Sequence, residues 1–519
     1  MIATNRKSPL GIQDFESLRT DQCLYVDKTA YIYRLVNQGK PYFLGRPRRF
    51  GKSLFLSTLK AYFLGKKELF EGLEIAEMEK DWTKYPVIYI DFNKANCQDV
   101  ATLNEILDNI LRKLETEWGA DPNDKLPSLR FEGIILRAYE KTKQRVVVLV
   151  DEYDKPLLGT LDDIDTNDAI RNVMKGFYGV LKSSDACLRF VMLTGVTKFS
   201  KVSVFSDLNH LVDISMDKQY AGICGISEEE LLGNFEPELR ALAEEQEMTY
   251  EETLAKMKKL YDGYHFAKKS TGIYNPFSVL KTLACLDFVH YWFMSGTPTF
   301  LVKMVRKAGL DIRKFEGDIP VSADSISDYS VEFNDPTPLL YQTGYLTIKR
   351  YNEQINAYVL GFPNEEVKYG FLRELLQIYT PTNRSDFFVG LFVEELWAGD
   401  VDGFMTRLRA FFASIPNELE NKTEKHYQTI FYLLFTMMGQ SIQTEVHTAK
   451  GNADAVVKTS DTVFVFEFKL DENSTAEAAL KQIDDKSYAI PYTAGNLKIV
   501  KIGVEFNTTD RTIGRWLVN

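Results

Sequence analysis

The sequence predicts an α/β chain in which a mostly parallel N-terminal sheet, covered by helices, is followed by a helical lid, a winged-helix-like segment and a smaller C-terminal α/β domain. Three observations predict it. Up to about residue 225, short β-branched runs alternate with amphipathic helical stretches, the pattern of parallel strands joined by helical crossovers. Two of those apolar runs end in chemistry-bearing residues, one running into Gly-Lys-Ser and the other ending in Asp-Glu. Near the C-terminus an alternating hairpin carries acidic residues on one face and phenylalanines on the other.

At 519 residues the chain exceeds what one hydrophobic core organises, so roughly two to four domains are expected. A hydrophobic share of 45% and a charged share of 26% exclude a mainly disordered chain. No apolar run reaches the roughly 20 residues needed to cross a bilayer, and the first residues lack the apolar core of a secretory signal. A cytoplasmic protein without a membrane partner is expected. The 5 histidines and the cysteines (Cys23, Cys97, Cys187, Cys224 and Cys285) are scattered, with no metal-ligand spacing, so any metal should sit on carboxylates. A net charge of -11 disfavours broad sequence-independent attraction to nucleic acid and leaves a local basic groove as its route.

In chain order, strands are expected at 42–45, 87–92, 146–151, 188–194 and 211–215, with helices at 52–64, 103–117 and 165–182. From Ser227 to about Leu310 the pattern turns helical, and Ser227 with Glu230 forms a capping-box signature at its start. A short helix near Pro338 then leads into β-like runs at 345–351 and 355–360, which resembles a winged helix. Residues 365–421 read as helical, with a break at 414–417 before a final helix, three strands, a helix and a strand. The expected division is 1–225, 226–362 (lid and winged-helix-like region), 363–416 (helical connector) and 417–519.

The run Tyr42-Phe43-Leu44 passes into Gly45-Arg46-Pro47-Arg48-Arg49-Phe50-Gly51-Lys52-Ser53 and then an apolar helix. That is the context of a P-loop. Backbone N–H groups near Gly51 would cradle phosphates, Lys52 would neutralise the β/γ oxygens while facing ligand or solvent, and the Ser53 hydroxyl would hold Mg2+. The loop is atypical, since Arg46 stands at its usual first glycine position, and Arg48 or Arg49 is expected to turn toward phosphate. The run 146–151 ends in Asp151 and Glu152, where Asp151 would bind Mg2+ through water and Glu152 would polarise the attacking water. Thr194, at the end of a third strand, is the candidate sensor of the γ-phosphate.

Five segments carry a resemblance: Gly11-Ile12-Gln13-Asp14-Phe15, Tyr25-Val26-Asp27-Lys28-Thr29, the loop 46–53, Asp151-Glu152-Tyr153-Asp154-Lys155-Pro156, and Leu193-Thr194-Gly195-Val196-Thr197-Lys198-Phe199-Ser200. Together they resemble the bacterial AAA-ATPase-like proteins, from about Gly11 to Tyr261-Asp262-Gly263-Tyr264 and Tyr274-Asn275-Pro276-Phe277-Ser278. The resemblance implies an ATP-binding module of the P-loop class, in which Gln13, Asp14 and Tyr25 to Lys28 either line the adenine pocket or serve the fold.

In the C-terminal hairpin, a turn at Ser460-Asp461 makes paired residue numbers sum to 921, which sets Asp454 opposite Glu467. Val465, Glu467 and Lys469 share that face, and Phe464, Phe466 and Phe468 the other. Facing carboxylates repel unless a hard divalent cation lies between them, so Mg2+ or Mn2+ is expected, with the Phe468 carbonyl as a third oxygen. Lys469 would orient or deprotonate water and stabilise charge on a scissile phosphate. Ala453-Asp454 followed by Glu467-Phe468-Lys469 resembles the PD-(D/E)XK nuclease superfamily. The resemblance implies Asp454 and Glu467 as metal ligands, Lys469 as the catalytic lysine and Gln482 as a supporting polar residue, with Glu445 or Glu424 as a further acid.

Two functions follow as expectations. One is an ATP-dependent or ATP-gated nuclease acting on DNA or RNA. The other is a nucleotide-switched signalling or interaction protein with an inactive nuclease-like domain, which the atypical loop favours. A homo-oligomer or a protein partner fits either.

Overall fold

The computed structural model describes residues 7–39, 41–93, 95–161, 163–198, 211–294, 299–326, 335–380, 385–415, 424–439, 443–446, 453–471, 474–493, 497–510 and 512–519. They form two compact units, residues 1–296 with 314–368 and residues 297–313 with 369–519. Among the described residues no helix is long and apolar enough to cross a membrane.

The first unit is built on strands β1 (Tyr42–Gly45), β2 (Val87–Asp91), β3 (Val146–Asp151), β4 (Leu188–Gly195) and β5 (Val212–Asp213). All are parallel, in the order β2-β3-β4-β1-β5. Every residue of β3 is buried, as expected for a β-branched run covered on both faces. The order matters for function. β4 lies between β1 and β3, so the loop after β1 and the carboxylates after β3 leave the same sheet edge on either side of Thr194. The helices follow the apolar spacing, including Lys52–Phe63, Val100–Trp118 and Ile164–Ser183. One further helix, Pro127–Thr142, buries Phe131, Ile134, Ile135 and Ala138 at helical spacing and was not anticipated.

Ser227 caps the helix Glu228–Glu245 with a complete capping box through Glu230, as its spacing predicted. This helix packs with Tyr250–Tyr261 and Pro276–Cys285 around Leu231, Leu239, Leu242 and Met257. Strands β6 (Ile226–Ser227) and β7 (Ile273–Tyr274) pair at the base of that bundle. The helix Thr299–Lys307, expected within the lid, belongs to the second unit. The short helix Thr337–Gln342 leads into the hairpin β9 (Thr347–Asn352) and β10 (Ala357–Gly361), and an unanticipated strand, β8 (Ile319–Ser322), joins β10.

The second unit holds a mixed sheet in the order β11 (Gln443–Val446), β12 (Ala455–Lys458), β13 (Thr462–Leu470), β14 (Lys498–Asn507) and β15 (Thr512–Val518). β13 and β14 are parallel and the other pairs antiparallel. Pairs such as Ala455 with Phe466 and Val456 with Val465 follow the expected register, and β15 is one strand more than anticipated. Phe466 and Phe468 pack on Phe404, Phe431 and Phe435, while the helix Ala476–Asp485 covers the opposite face. The segment expected as a separate connector packs into this unit: Arg409, on the helix Val401–Ala413, donates to the Ile513 carbonyl. Of the expected break, residues 416 and 417 lie outside the described residues.

Candidate active sites

Lys52 opens the helix Lys52–Phe63 immediately after Gly51, whose φ of 96° requires the left-handed region that glycine enters freely. A Cβ on Gly51 would meet nothing within 4 Å, so the left-handed backbone and not crowding calls for glycine there. Lys52, expected to face ligand or solvent, is turned to the loop itself. It is 3% exposed, its ammonium bonds the carbonyls of Arg46 and Pro47 at 3.1 and 3.3 Å, and Glu152 pairs with it at 3.1 Å. An ammonium with three donors turns toward the nearest acceptors, which here are the loop's own carbonyls and a carboxylate.

The rest of the loop is gripped by its own unit. Phe50 is buried edge-on against Tyr264 and Phe266, so its side chain is withdrawn and only its backbone remains for phosphate. Arg49, at φ 66°, lays its guanidinium 4.0 Å over Phe277 instead of into the loop, because the ring face attracts a cation. Arg48 is exposed, and its carbonyl accepts from Trp292 Nε1 at 3.3 Å.

Across the sheet edge, Asp151 is buried and accepts from the Thr194 hydroxyl at 2.7 Å. Burial raises the Asp151 carboxyl above its ordinary range, against the pull of Ser53 and Thr194, and its buried Oδ2 has no hydrogen-bond partner among the described residues. Ser53 and Asp151 therefore meet at this sheet edge. Thr194, the expected γ-phosphate sensor, is wholly buried and gives its hydroxyl to Asp151, an arrangement that orients that carboxylate. Glu152, at φ 50°, sits on a sharp strand exit beside Lys52. Three of the upstream candidates make contacts within the fold: Asp14 caps the helix Phe15–Thr20, Asp27 accepts from Thr29 and Glu74 N–H groups, and Lys28 pairs with Glu230 at 2.5 Å.

Two residues here went unassigned by sequence. Asp154 is fully buried, accepts from the Val196 and Thr197 N–H groups at 3.0 and 2.6 Å, and is pushed up to about 7 by burial and by the charge of Glu152. Its place in Asp151-Glu152-Tyr153-Asp154 was the available signal. Arg46 is 1% exposed and bonds only carbonyls, a placement that a glycine-based reading of the loop could not give.

In the second unit the expected cluster assembles. Glu467, on β13, is 2% exposed, and its Oε1 accepts from Lys469 at 2.8 Å and from the Gln482 amide. Asp454, just before β12, accepts from the Phe468 N–H at 2.9 Å, so the Phe468 peptide is anchored beside both acids. Gln482 projects from the helix Ala476–Asp485, where Tyr488 also receives its amide at 3.3 Å. Burial raises the Glu467 carboxyl, the Asp454 charge raises it further, and Lys469 pulls back. Glu467 Oε2 is buried without a hydrogen-bond partner among the described residues. Among the described residues no third acid, His or Cys joins the pair, and the side chains of Glu424 and Glu445 lie outside them.

Asp151 Oδ2 and Glu467 Oε2 are buried acceptors without a hydrogen-bond partner among the described residues, so a hard cation fits both positions.

Comparison with known proteins matches one family to each of the two regions. The AAA-ATPase-like family, described as a predicted AAA-ATPase, matches residues 9–205. The PD-(D/E)XK nuclease superfamily matches residues 422–516. A protein of Azotobacter chroococcum mcd 1, named only as an uncharacterized protein in the vnfD 5' region, is 38% identical over 530 residues, covering 99% of each chain.

Proposed function

Since the chain belongs to the predicted AAA-ATPases that carry a C-terminal PD-(D/E)XK nuclease superfamily domain, we propose that it couples ATP binding or hydrolysis to metal-dependent phosphodiester cleavage of DNA or RNA. The observation that carries this reading is repeated in the two units. Asp151 and Glu467 each bury one satisfied and one unsatisfied carboxylate oxygen, and each feels a lysine charge, from Lys52 and Lys469. A buried acceptor without a donor is costly unless a cation takes it.

At the first site Lys52 leaves its carbonyl and Glu152 contacts for phosphate oxygens, which frees Glu152 to orient water. Ser53 and Asp151 would hold Mg2+, with Thr194 fixing the carboxylate. At the second, Asp454, Glu467 and the Phe468 carbonyl would hold Mg2+ or Mn2+, with Gln482 fixing Glu467 and Lys469 placed to act on water or on phosphate charge. Bound, the ion neutralises phosphate charge and acidifies water.

The test is cleavage of plasmid, single-stranded DNA and RNA with Mn2+, with and without ATP, by wild type and Glu467→Ala. Cutting by wild type alone is expected. Equal cutting by both proteins would end the nuclease reading. ATP binding without any cutting would favour the nucleotide-switched interaction protein, a reading that Arg46 at the loop's first position supports.

A further inference from the structure

Arg46 is a charged side chain that neither proposed reaction uses. Its Nη1 donates to the carbonyls of Gly45 and Ser215 at 2.8 and 2.7 Å, its Nη2 to the Tyr220 carbonyl at 2.9 Å, and its guanidinium lies 4.1 Å over the Phe266 ring. Its Nε has no acceptor. Interior arginines ordinarily pair with an acid. Among the described residues no carboxylate lies within ion-pair distance of this one, and Asp213, the acid whose charge reaches it, pairs with Lys198 at 2.8 Å. A full positive charge is thus held inside the protein by carbonyl dipoles and a ring face.

The backbone that carries this side chain is part of the phosphate loop itself. The Arg46 N–H bonds the Gly195 carbonyl at 3.1 Å, tying the ends of β1 and β4, and the Arg46 carbonyl holds Lys52 at 3.1 Å. We infer that Arg46 is a phosphate-positioning residue, an internal cation standing where such loops ordinarily have glycine. It favours an anion in the loop through its uncompensated charge and fixes the loop's path through its carbonyl contacts. The inference rests on the reading of this loop as a nucleotide site.

ATP affinity of the full chain, measured well below each protein's melting temperature, tests it. Arg46→Met should bind about tenfold more weakly or worse, and Arg46→Lys, which keeps the charge, should stay within about threefold of wild type. If Arg46→Met does not fold, Arg46→Gln replaces it. Near-wild-type binding by the uncharged variant, or equal weakening in the uncharged and lysine variants, overturns the inference. Lys52→Ala separates it from its premise. If wild type binds ATP and Lys52→Ala does not, normal binding by Arg46→Met defeats this inference alone, whereas failure of wild type to bind defeats the nucleotide reading too.

Discussion

Glu366 shows how much one side chain can bind a unit to pH. It is completely buried, accepts from the Trp292 N–H at 2.8 Å and from the Ser278 hydroxyl, and is raised to about 7 by burial. The native state therefore holds a proton that the unfolded chain has released above its ordinary 4.5. Stability falls as pH rises through that window and levels off above about 7. Asp154, also raised to about 7, adds a slope of the same sign. Glu366→Gln imitates the protonated acid, so it should match wild type near pH 5 and exceed it near pH 8 by at most about 3 kcal/mol. Melting curves across that range decide it, and parallel curves would refute it. Glu152 gives a second case. Glu152→Gln should keep ATP bound and slow hydrolysis by about a hundredfold or more, because the amide keeps shape without charge to orient water. Lost binding instead would mean that Glu152 serves only to hold Lys52. Residue types were legible in the sequence here, but not orientations. Nothing in the order of Arg46, Arg49 and Thr194 says that one turns inward to carbonyls, one to an aromatic ring and one to Asp151.

Elements were most legible where periodicity and a turn agreed. The hairpin of β12 and β13 keeps the expected register because a one-residue slip would send the phenylalanines to the acidic face. β8 escaped because four residues containing Pro320 read poorly as a strand, and an edge position tolerates that proline. Gly503, inside β14, marks another limit of sequence reading. A Cβ there would stand 2.4 Å from the Ala476 carbonyl and 2.6 Å from the Leu480 nitrogen, both backbone atoms of the helix region that bears Gln482. Gly503→Ala should therefore cost about 1–3 kcal/mol of stability by forcing helix and sheet apart. Gly514→Ala on β15, where the nearest atom would be 3.4 Å away, is the control and should be nearly neutral. Equal melting of the two variants would show that the helix gives way freely.

The whole molecule was legible as a nucleotide module followed by a nuclease-like domain, but its division was not. One boundary falls between Lys368 and Tyr369 within the helix Glu365–Tyr379, which runs on unbroken through Gly370, and residues 297–313 join the second unit from a distance in the chain. The two sites lie in different units, so their ligands should stabilise separate parts of the protein. Burial and the Asp454 charge raise the Glu467 carboxyl, and a cation between the two acids would offset that repulsion. Mn2+ at a hundredfold excess over its Kd should add about 2.7 kcal/mol to the second unit. Melting of the full chain should show that gain in wild type and in Lys52→Ala, and lose it in the double variant Asp454→Asn, Glu467→Gln. ATP should do the reverse, stabilising the double variant but not Lys52→Ala. With both ligands present, additive gains would mean independent sites, and any excess or deficit measures the coupling free energy between them. A Mn2+ gain that survives in the double variant would place the ion elsewhere. No gain in any protein, together with no cleavage, would leave the two carboxylates without a metal role.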